Sequence, residues 1–397
     1  MKIKLSRNIF LCIFFFLLTF SGSYYCKEHG LDQNLEYVSY GLLMIALFLN
    51  YIKLDKKYRY KYINSISVIV LVCSVIGIFL NDLTLSRTMI LFFTMFARWT
   101  CVFWGDNYIN SFSILRAISY AILAGVMTST FLAWITEHQL IYASEGILGF
   151  TIAFTGGIQF KNYFAADMLA VFIGLYFYRK YERRRPIDLF VIILSVILLL
   201  FSNSRGGYVL FVVFLVVANI DIIIKISKKQ RKIFLCVTTI LAILAFIYLY
   251  KNIALNSSTY MYRIRGLLNY LKYYNNDLFH MLLGNTESFY DQELSYVFAI
   301  RKVVGWDGSL EFAWLDVIVK SGCIGVLGFF LVFARFINTA RKDETWDLGV
   351  VMASILATLL VSSLVEAYIE TIHAVFGIYC YLVMAGTNGR INERIKT

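Results

Sequence analysis

The chain has 397 residues, 59% of them hydrophobic and only 16% charged, with a mean hydropathy of +0.69. An ordinary soluble domain of this length does not carry so much apolar side chain, so the composition argues against a soluble enzyme and reads as an integral membrane protein. The net charge of +12 follows from membrane topology and anionic lipid headgroups, and no nucleic acid is needed to explain it.

A hydrocarbon core about 30 Å thick takes roughly 20 apolar residues at 1.5 Å each. On that measure the chain is expected to be all-α and polytopic, with about twelve transmembrane helices in one domain over 1–397. The spans fall near 8–25, 38–52, 63–80, 84–104, 113–136, 163–178, 188–203, 207–224, 233–250, 311–334, 348–366 and 372–387. MKIKLSR begins the chain as a signal peptide would, but no small-residue cleavage site closes the first run, which is therefore read as a helix. A single proline, Pro186, leaves the runs unbroken.

Most Lys and Arg residues lie in alternate connections, as in KLDKKYRYK, RKYERRR and KISKKQRK. The positive-inside rule then places both termini in the cytoplasm. One large outward loop, 251–310, breaks the pattern with Lys251, Arg263, Arg265, Lys272, Arg301 and Lys302. A loop of that length is too long to be a passive connector and is expected to carry short helices over a site. Its start, NSSTYMYRIRGLLNYLKYYNN, reads as an amphipathic surface helix. All four histidines, His29, His138, His280 and His373, fall in outward segments and read first as solvated loop residues. Of the seven cysteines only Cys26 faces outward, so no disulfide framework is expected. HExxH, Walker A, GxGxxG and a fixed-period repeat are all missing from the sequence, which weakens readings as a metalloprotease, an ATP-driven machine or a solenoid.

FSNSRGG, residues 201–207, interrupts two apolar runs with an arginine. A guanidinium at membrane depth costs roughly 2.5–3.5 kcal/mol even on lenient scales, so Arg205 needs an anion. It stands at the outer end of the 188–203/207–224 hairpin, where Gly206 and Gly207 allow close approach. A bidentate grip on phosphate is the functional reading, and a pairing with buried Asp167 is the structural one. Arg87 lies near the outer rim of the fourth span, and Arg98 snorkels toward the cytoplasm. In TGGIQFKNYFAADMLA, Gly156 and Gly157 allow a turn, Asn162 is placed to cap the next helix, and Ala165 and Ala166 allow close packing. Glu311 opens the tenth span without an internal partner, whereas Asp316 and Lys320 are spaced to pair.

SRGG after a hydrophobic span, an outer loop containing LLGN and the helix start EFAWLDVIVKSGCIG occur in an order that resembles the O-antigen ligase and O-antigen polymerase family of bacterial envelope glycan assembly. GGIQFKNYFAADMLA is similar to that family's Gly/Asn/Ala-rich start of a middle helix, and the resemblance covers roughly residues 150–340. Ligases of the family show His-Asn before Leu and G-x-x-G. Here Glu311 and Phe312 stand in that place ahead of Leu315, Gly322 and Gly325, which favours the polymerase branch.

The resemblance implies a metal-independent glycosyltransferase without cofactor, acting on the outer face of the bacterial cytoplasmic (inner) membrane. It would join undecaprenyl-diphosphate-linked oligosaccharide repeat units into O-antigen or a similar surface polysaccharide, with a chain-length regulator as partner protein. Preorganised arginines would stabilise the leaving diphosphate, and Arg205, Arg263, Arg265 and Arg87 are assigned to it. Glu311 is assigned as the base for the acceptor hydroxyl, with His280 as the substitute. The alternatives are an O-antigen ligase and a polytopic flippase or transporter. Against the transporter stand the lack of a repeat and of matched Gly/Pro interruptions.

Overall fold

In chain order the helices and strands are α1 (Lys2–Ser21), the short α2 (Tyr24–Glu28), α3 (Asp32–Lys53), α4 (Phe112–Ile135), β1 (Ile141–Ala143) and β2 (Ile152–Phe154). There follow α5 (Lys161–Tyr181), α6 (Pro186–Phe201), α7 (Arg205–Ala218), α8 (Ser258–Tyr273), α9 (Leu278–Leu283), α10 (Ala313–Ala340), α11 (Asp347–Val365) and α12 (Val375–Arg394). The structure, a computed structural model, describes residues 2–53, 111–138, 140–143, 151–220, 258–284, 312–343, 347–369 and 374–395, with Val72, Ile76 and Ile109. The spans expected at 84–104 and 233–250 lie outside these residues, as does that at 63–80 apart from Val72 and Ile76, and Arg87 and Arg98 are outside them too.

The bundle is built around α5 and α12, whose apolar residues occur on every face. Phe164 to Leu175 are buried without interruption, and so are Val375 to Gly389. A helix apolar all round must be enclosed or lie in lipid. Here α4, α6, α7 and α12 enclose α5, while α11 and α10 pack on α12. The outer helices instead bury a stripe: on α7 the buried residues are Gly206, Gly207, Leu210, Phe214 and Ala218, with Val209, Val212 and Val216 outside.

Among the described residues three helices are long and apolar enough to cross a membrane: Phe112–Ile135, Ser321–Ala340 and Asp347–Leu364. Asn8–Ser21, α6 and α7 are apolar but shorter. These helices fit a membrane protein. Two expected boundaries move. The first run ends at Ser21, because Gly22 and Ser23 turn the chain and the Ser23 hydroxyl accepts from Cys26 N at 3.2 Å to start α2. The tenth does not cross as one helix from 311, because α10 breaks at Gly322 (φ 60°, ψ −165°). The all-α reading also omits the β1–β2 hairpin, antiparallel with Ile141 opposite Phe154 and Ala143 opposite Ile152.

The two ends of the bundle differ. Thr19 lies against Gly125 and Tyr24 near His138, so α1 runs beside α4 in the same direction. The start of α4, the α5–α6 connection and the end of α12 therefore share one end with the N-terminus. There Arg116 Nε donates to Asp188 at 2.8 Å, Glu182 accepts from Phe112 N at 2.7 Å, and Arg394 grips Asp347 at 2.6 and 3.1 Å. Arg390 lies over the Phe112 ring, 4.5 Å from its centroid, a cation–π contact. The opposite end carries the starts of α5 and α7 and the close of α11.

The expected short helices of the long loop are present as α8 and α9. Tyr270 of α8 and Tyr274 just past its end pack on Leu315, Ile318 and Val319 of α10. Gly284 closes α9 at φ 84° and lies against Val319 O, and a Cβ there would stand 2.6 Å from that oxygen. Gly322 meets the backbone of Leu282 and Leu283 in return. Two backbones touch directly, and glycine is the residue that permits both the contact and the left-handed φ. Gly322→Ala is therefore expected to cost roughly 2–4 kcal/mol. Gly41→Ala, open on α3, is expected to be neutral or to stabilise by up to about 1 kcal/mol. Thermal unfolding in detergent and hydrogen exchange across α9 measure both.

Candidate functional site

The α6–α7 turn is polar and buried. Ser202, Asn203 and Ser204 are 0%, 0% and 1% exposed between two apolar helices. Asn203 takes a left-handed φ of 51°, which asparagine tolerates better than most residues, and this ends α6. The Ser202 hydroxyl donates to Leu199 O at 2.6 Å. Ser204 is the N-cap of α7, its hydroxyl oxygen accepting from Gly207 N at 3.2 Å. Arg205 is then the first residue of α7 and points outward, exposed.

Asn162 ties this turn to two other helix ends. Its carbonyl oxygen accepts from the Ser204 hydroxyl at 2.8 Å, and its amide donates to Glu366 Oε1 at 2.7 Å, just past the close of α11. Tyr368 OH donates to Asn162 O at 2.8 Å. Asn162 does not cap α5 as expected: Phe160 is the N-cap and has no side-chain hydrogen bond. The amide turns sideways because two polar groups from other helices need it there. A bond to a charged group contributes about 1.5–3 kcal/mol and a neutral one about 0.5–1.5. Gly207 lets α7 approach α5 so closely that an added Cβ would lie 2.8 Å from Ala165 Cβ. Its openness serves helix packing, the backbone approach that was one of the two uses expected of Gly206 and Gly207. Gly156 and Gly157 do turn at positive φ, 56° and 76°.

Next to Asn162, Lys161 opens α5 ahead of the apolar run and is half-buried. Burial holds its amine below the ordinary lysine range; Arg205 pushes in the same direction and Glu366 opposes them. The Lys161 amine thus feels both the Arg205 guanidinium and the Glu366 carboxylate. Among the described residues Arg205 makes no ion pair, and Asp167 is buried within α5 without reaching it. The pairing with Asp167 considered from sequence is not formed.

The other expected site residues are less gathered. His280 lies on α9, its Nδ1 2.5 Å from Asp277 Oδ2, so it is engaged with the residue that caps its own helix. Arg265 is exposed on α8; Arg263 belongs to the same helix, but its side chain lies outside the described residues. Glu311 also lies outside them. Its neighbour Phe312 packs with the Tyr270–Val319 cluster, under α8. Asp316 is buried, and the side chain of Lys320 is outside the described set. Sequence reading missed Lys161, Glu366 and Tyr368. A lysine and an asparagine side by side at a helix start were the available signal for the first; the acid and tyrosine of VEAYIE had no local mark.

No protein-family model matches this chain, and comparison with curated proteins finds no similar sequence.

Asn162→Ala is expected to destabilise the purified protein by about 2–4 kcal/mol, since Ser204 and Glu366 both lose a partner. Asn162→Asp should be no milder, because it sets a carboxylate against Glu366; thermal unfolding in detergent compares the two. A second expectation concerns α9. The His280 side chain and backbone hold Asp277 below its ordinary value of 3.8, so the folded form binds the proton less readily than the unfolded one. The stabilisation is complete above 3.8 and is lost as the pH falls through the depressed value. Protection of the α9 amides, taken relative to their intrinsic exchange rates at each pH, should hold as the pH falls toward that region and then drop. Asp277→Asn should abolish the transition.

Proposed function

We propose that this chain is a membrane glycosyltransferase that polymerises undecaprenyl-diphosphate-linked oligosaccharide repeat units on the outer face of a bacterial cytoplasmic membrane. The observation that carries the reading is Arg205. It is an exposed guanidinium without an ion pair among the described residues, on a buried polar turn held by Ser204 and Asn162. Such a group, prepositioned and not neutralised by a salt bridge, suits a ligand that arrives with negative charge. Depth supports the same reading. The 16 residues of α6 rise about 24 Å, less than a hydrocarbon core of about 30 Å, so with Pro186 at the inner surface the turn would stand just below the outer headgroups, within reach of a lipid-linked phosphate.

The chemistry follows from charge development. The sugar–diphosphate bond breaks as the acceptor hydroxyl attacks the anomeric carbon. Negative charge collects on the departing diphosphate, where Arg205 stabilises it, with Arg263, Arg265 and Arg87 as the further assigned cations. The acceptor proton passes to a base, assigned to Glu311 with His280 as substitute. The α9–α10 interlock supports this assignment, because it anchors the long loop next to the segment that Glu311 precedes. Energy comes from the diphosphate bond, so no nucleotide is consumed.

Arg205→Lys keeps the charge and loses the fork, and is expected to lower polymer formation by about 10²-fold, with Arg205→Ala at least as severe. Glu311→Gln should stop extension while the protein stays folded in the membrane. The polysaccharide length ladder on a gel reads both, and an intact ladder in Arg205→Ala refutes the site. A deletion strain should bear single repeat units on its envelope lipid. Full-length polymer left on its carrier would mean a ligase, and repeat units trapped inside would mean a flippase.

A further inference from the structure

The short helix α9 has an apolar outside. Its three exposed residues are Leu278, Phe279 and Leu282, at 71%, 39% and 38% exposure. Residues one and four apart on a helix fall within about 100° of arc, so the three make one face. Met281, turned away from it, packs on the Tyr270–Val319 cluster, and the exposed polar residues Asn275 and Asn276 precede the helix. A lone exposed leucine is ordinary, but a helix face made only of large apolar side chains marks a surface that something covers.

The place of α9 says what covers it. The Ser321–Ala340 length of α10 has 20 residues and rises about 30 Å, the thickness of a hydrocarbon core. Its Leu327, Phe330 and Ile337 are exposed, as on a helix that lipid surrounds. Ser321 therefore stands at one edge of the core. α9 is held at that edge by backbone contact: Gly284 lies against Val319, Ser321 and Gly322, and Gly322 lies against Leu282 and Leu283. We propose that α9 is a lipid-docking element, whose Leu278, Phe279 and Leu282 enter the adjacent leaflet where acyl chains meet headgroups and thereby fix the depth of the long loop. Arg265 and Lys272, exposed on α8 nearby, suit the headgroup phosphates, and Tyr273, also exposed, is a residue type that favours this level. A second copy of the chain is the poorer occupant, because three partly exposed side chains offer far less than the roughly 800 Å² per partner of a stable interface. The inference is independent of the proposed activity and needs only that the Ser321–Ala340 helix cross the bilayer.

The test is spin labelling of the full chain in nanodiscs of phosphatidylcholine and phosphatidylglycerol, with the seven native cysteines replaced by serine and unchanged thermal unfolding as the check on that background. Collisions with oxygen, which concentrates in lipid, and with a water-soluble nickel chelate report the surroundings of each label. Labels on Leu278→Cys and Leu282→Cys are expected to be reached by oxygen and to lose nickel access, while a label on Asn276→Cys keeps it. Nickel access at position 278 equal to that at 276 puts the face in water. Shielding from both reagents means that protein covers it, either another segment or a second copy. Each of these two results overturns the proposal. Leu278→Asp should lower the protection of the α9 amides by about tenfold or more in the same nanodiscs, and Asn276→Ser should leave it unchanged. A side chain that faced water would tolerate the charge, so unchanged protection in Leu278→Asp also refutes docking.

Discussion

The Asn162 side chain is the constraint on which the candidate site depends. Through one amide it joins the start of α5, the start of α7 and the close of α11, with bonds of 2.8 and 2.7 Å. Each partner is a polar group at a helix end in an apolar bundle, where an unmet donor or acceptor is expensive. The amide offers a donor on one side and an acceptor on the other, and both are used. An apolar residue there would leave Ser204 and Glu366 to find other partners. An acid there would repel Glu366. The position of Arg205 is thus a consequence of satisfying buried polar groups.

A second constraint governs the long loop. Apolar burial of Tyr270 and Tyr274 against α10 attaches α8, but the register of the loop is set where Gly284 and Gly322 bring two backbones into contact. The same contact breaks α10. The apolar segment from Ser321 onward is then a separate length of helix from the one that begins at Ala313. Loop position and the direction of the α10 start are coupled by a single left-handed residue, so movement of α9 would be felt at the segment following Glu311. This gives the G-x-x-G of the α10 start and the LLGN of the loop a shared physical purpose.

Much of this was legible along the chain, and the parts that were not share a cause. Apolar runs located the helices because burial leaves a local record in composition. Gly156, Gly157 and the SRGG turn were visible because glycine and short polar residues mark backbone geometry. The 163–178 and 372–387 runs read as spans, but that their helices would be enclosed by protein was not legible, since apolarity does not distinguish a lipid neighbour from a leucine. The capping role expected of Asn162 was a local guess that a longer-range demand overrode. The break at Gly322 was hidden because its reason, the α9 backbone, lies in another segment.

By itself the sequence determined that the chain would build a helical bundle with apolar exteriors and one arginine placed at a polar turn. Only the tertiary structure decided which residues accompany that arginine. Ser204 meets Asn162 across 42 residues and Asn162 meets Glu366 across 204. A hydrogen bond needs direction and a distance near 3 Å, and no pattern of composition or period records which distant group will supply it.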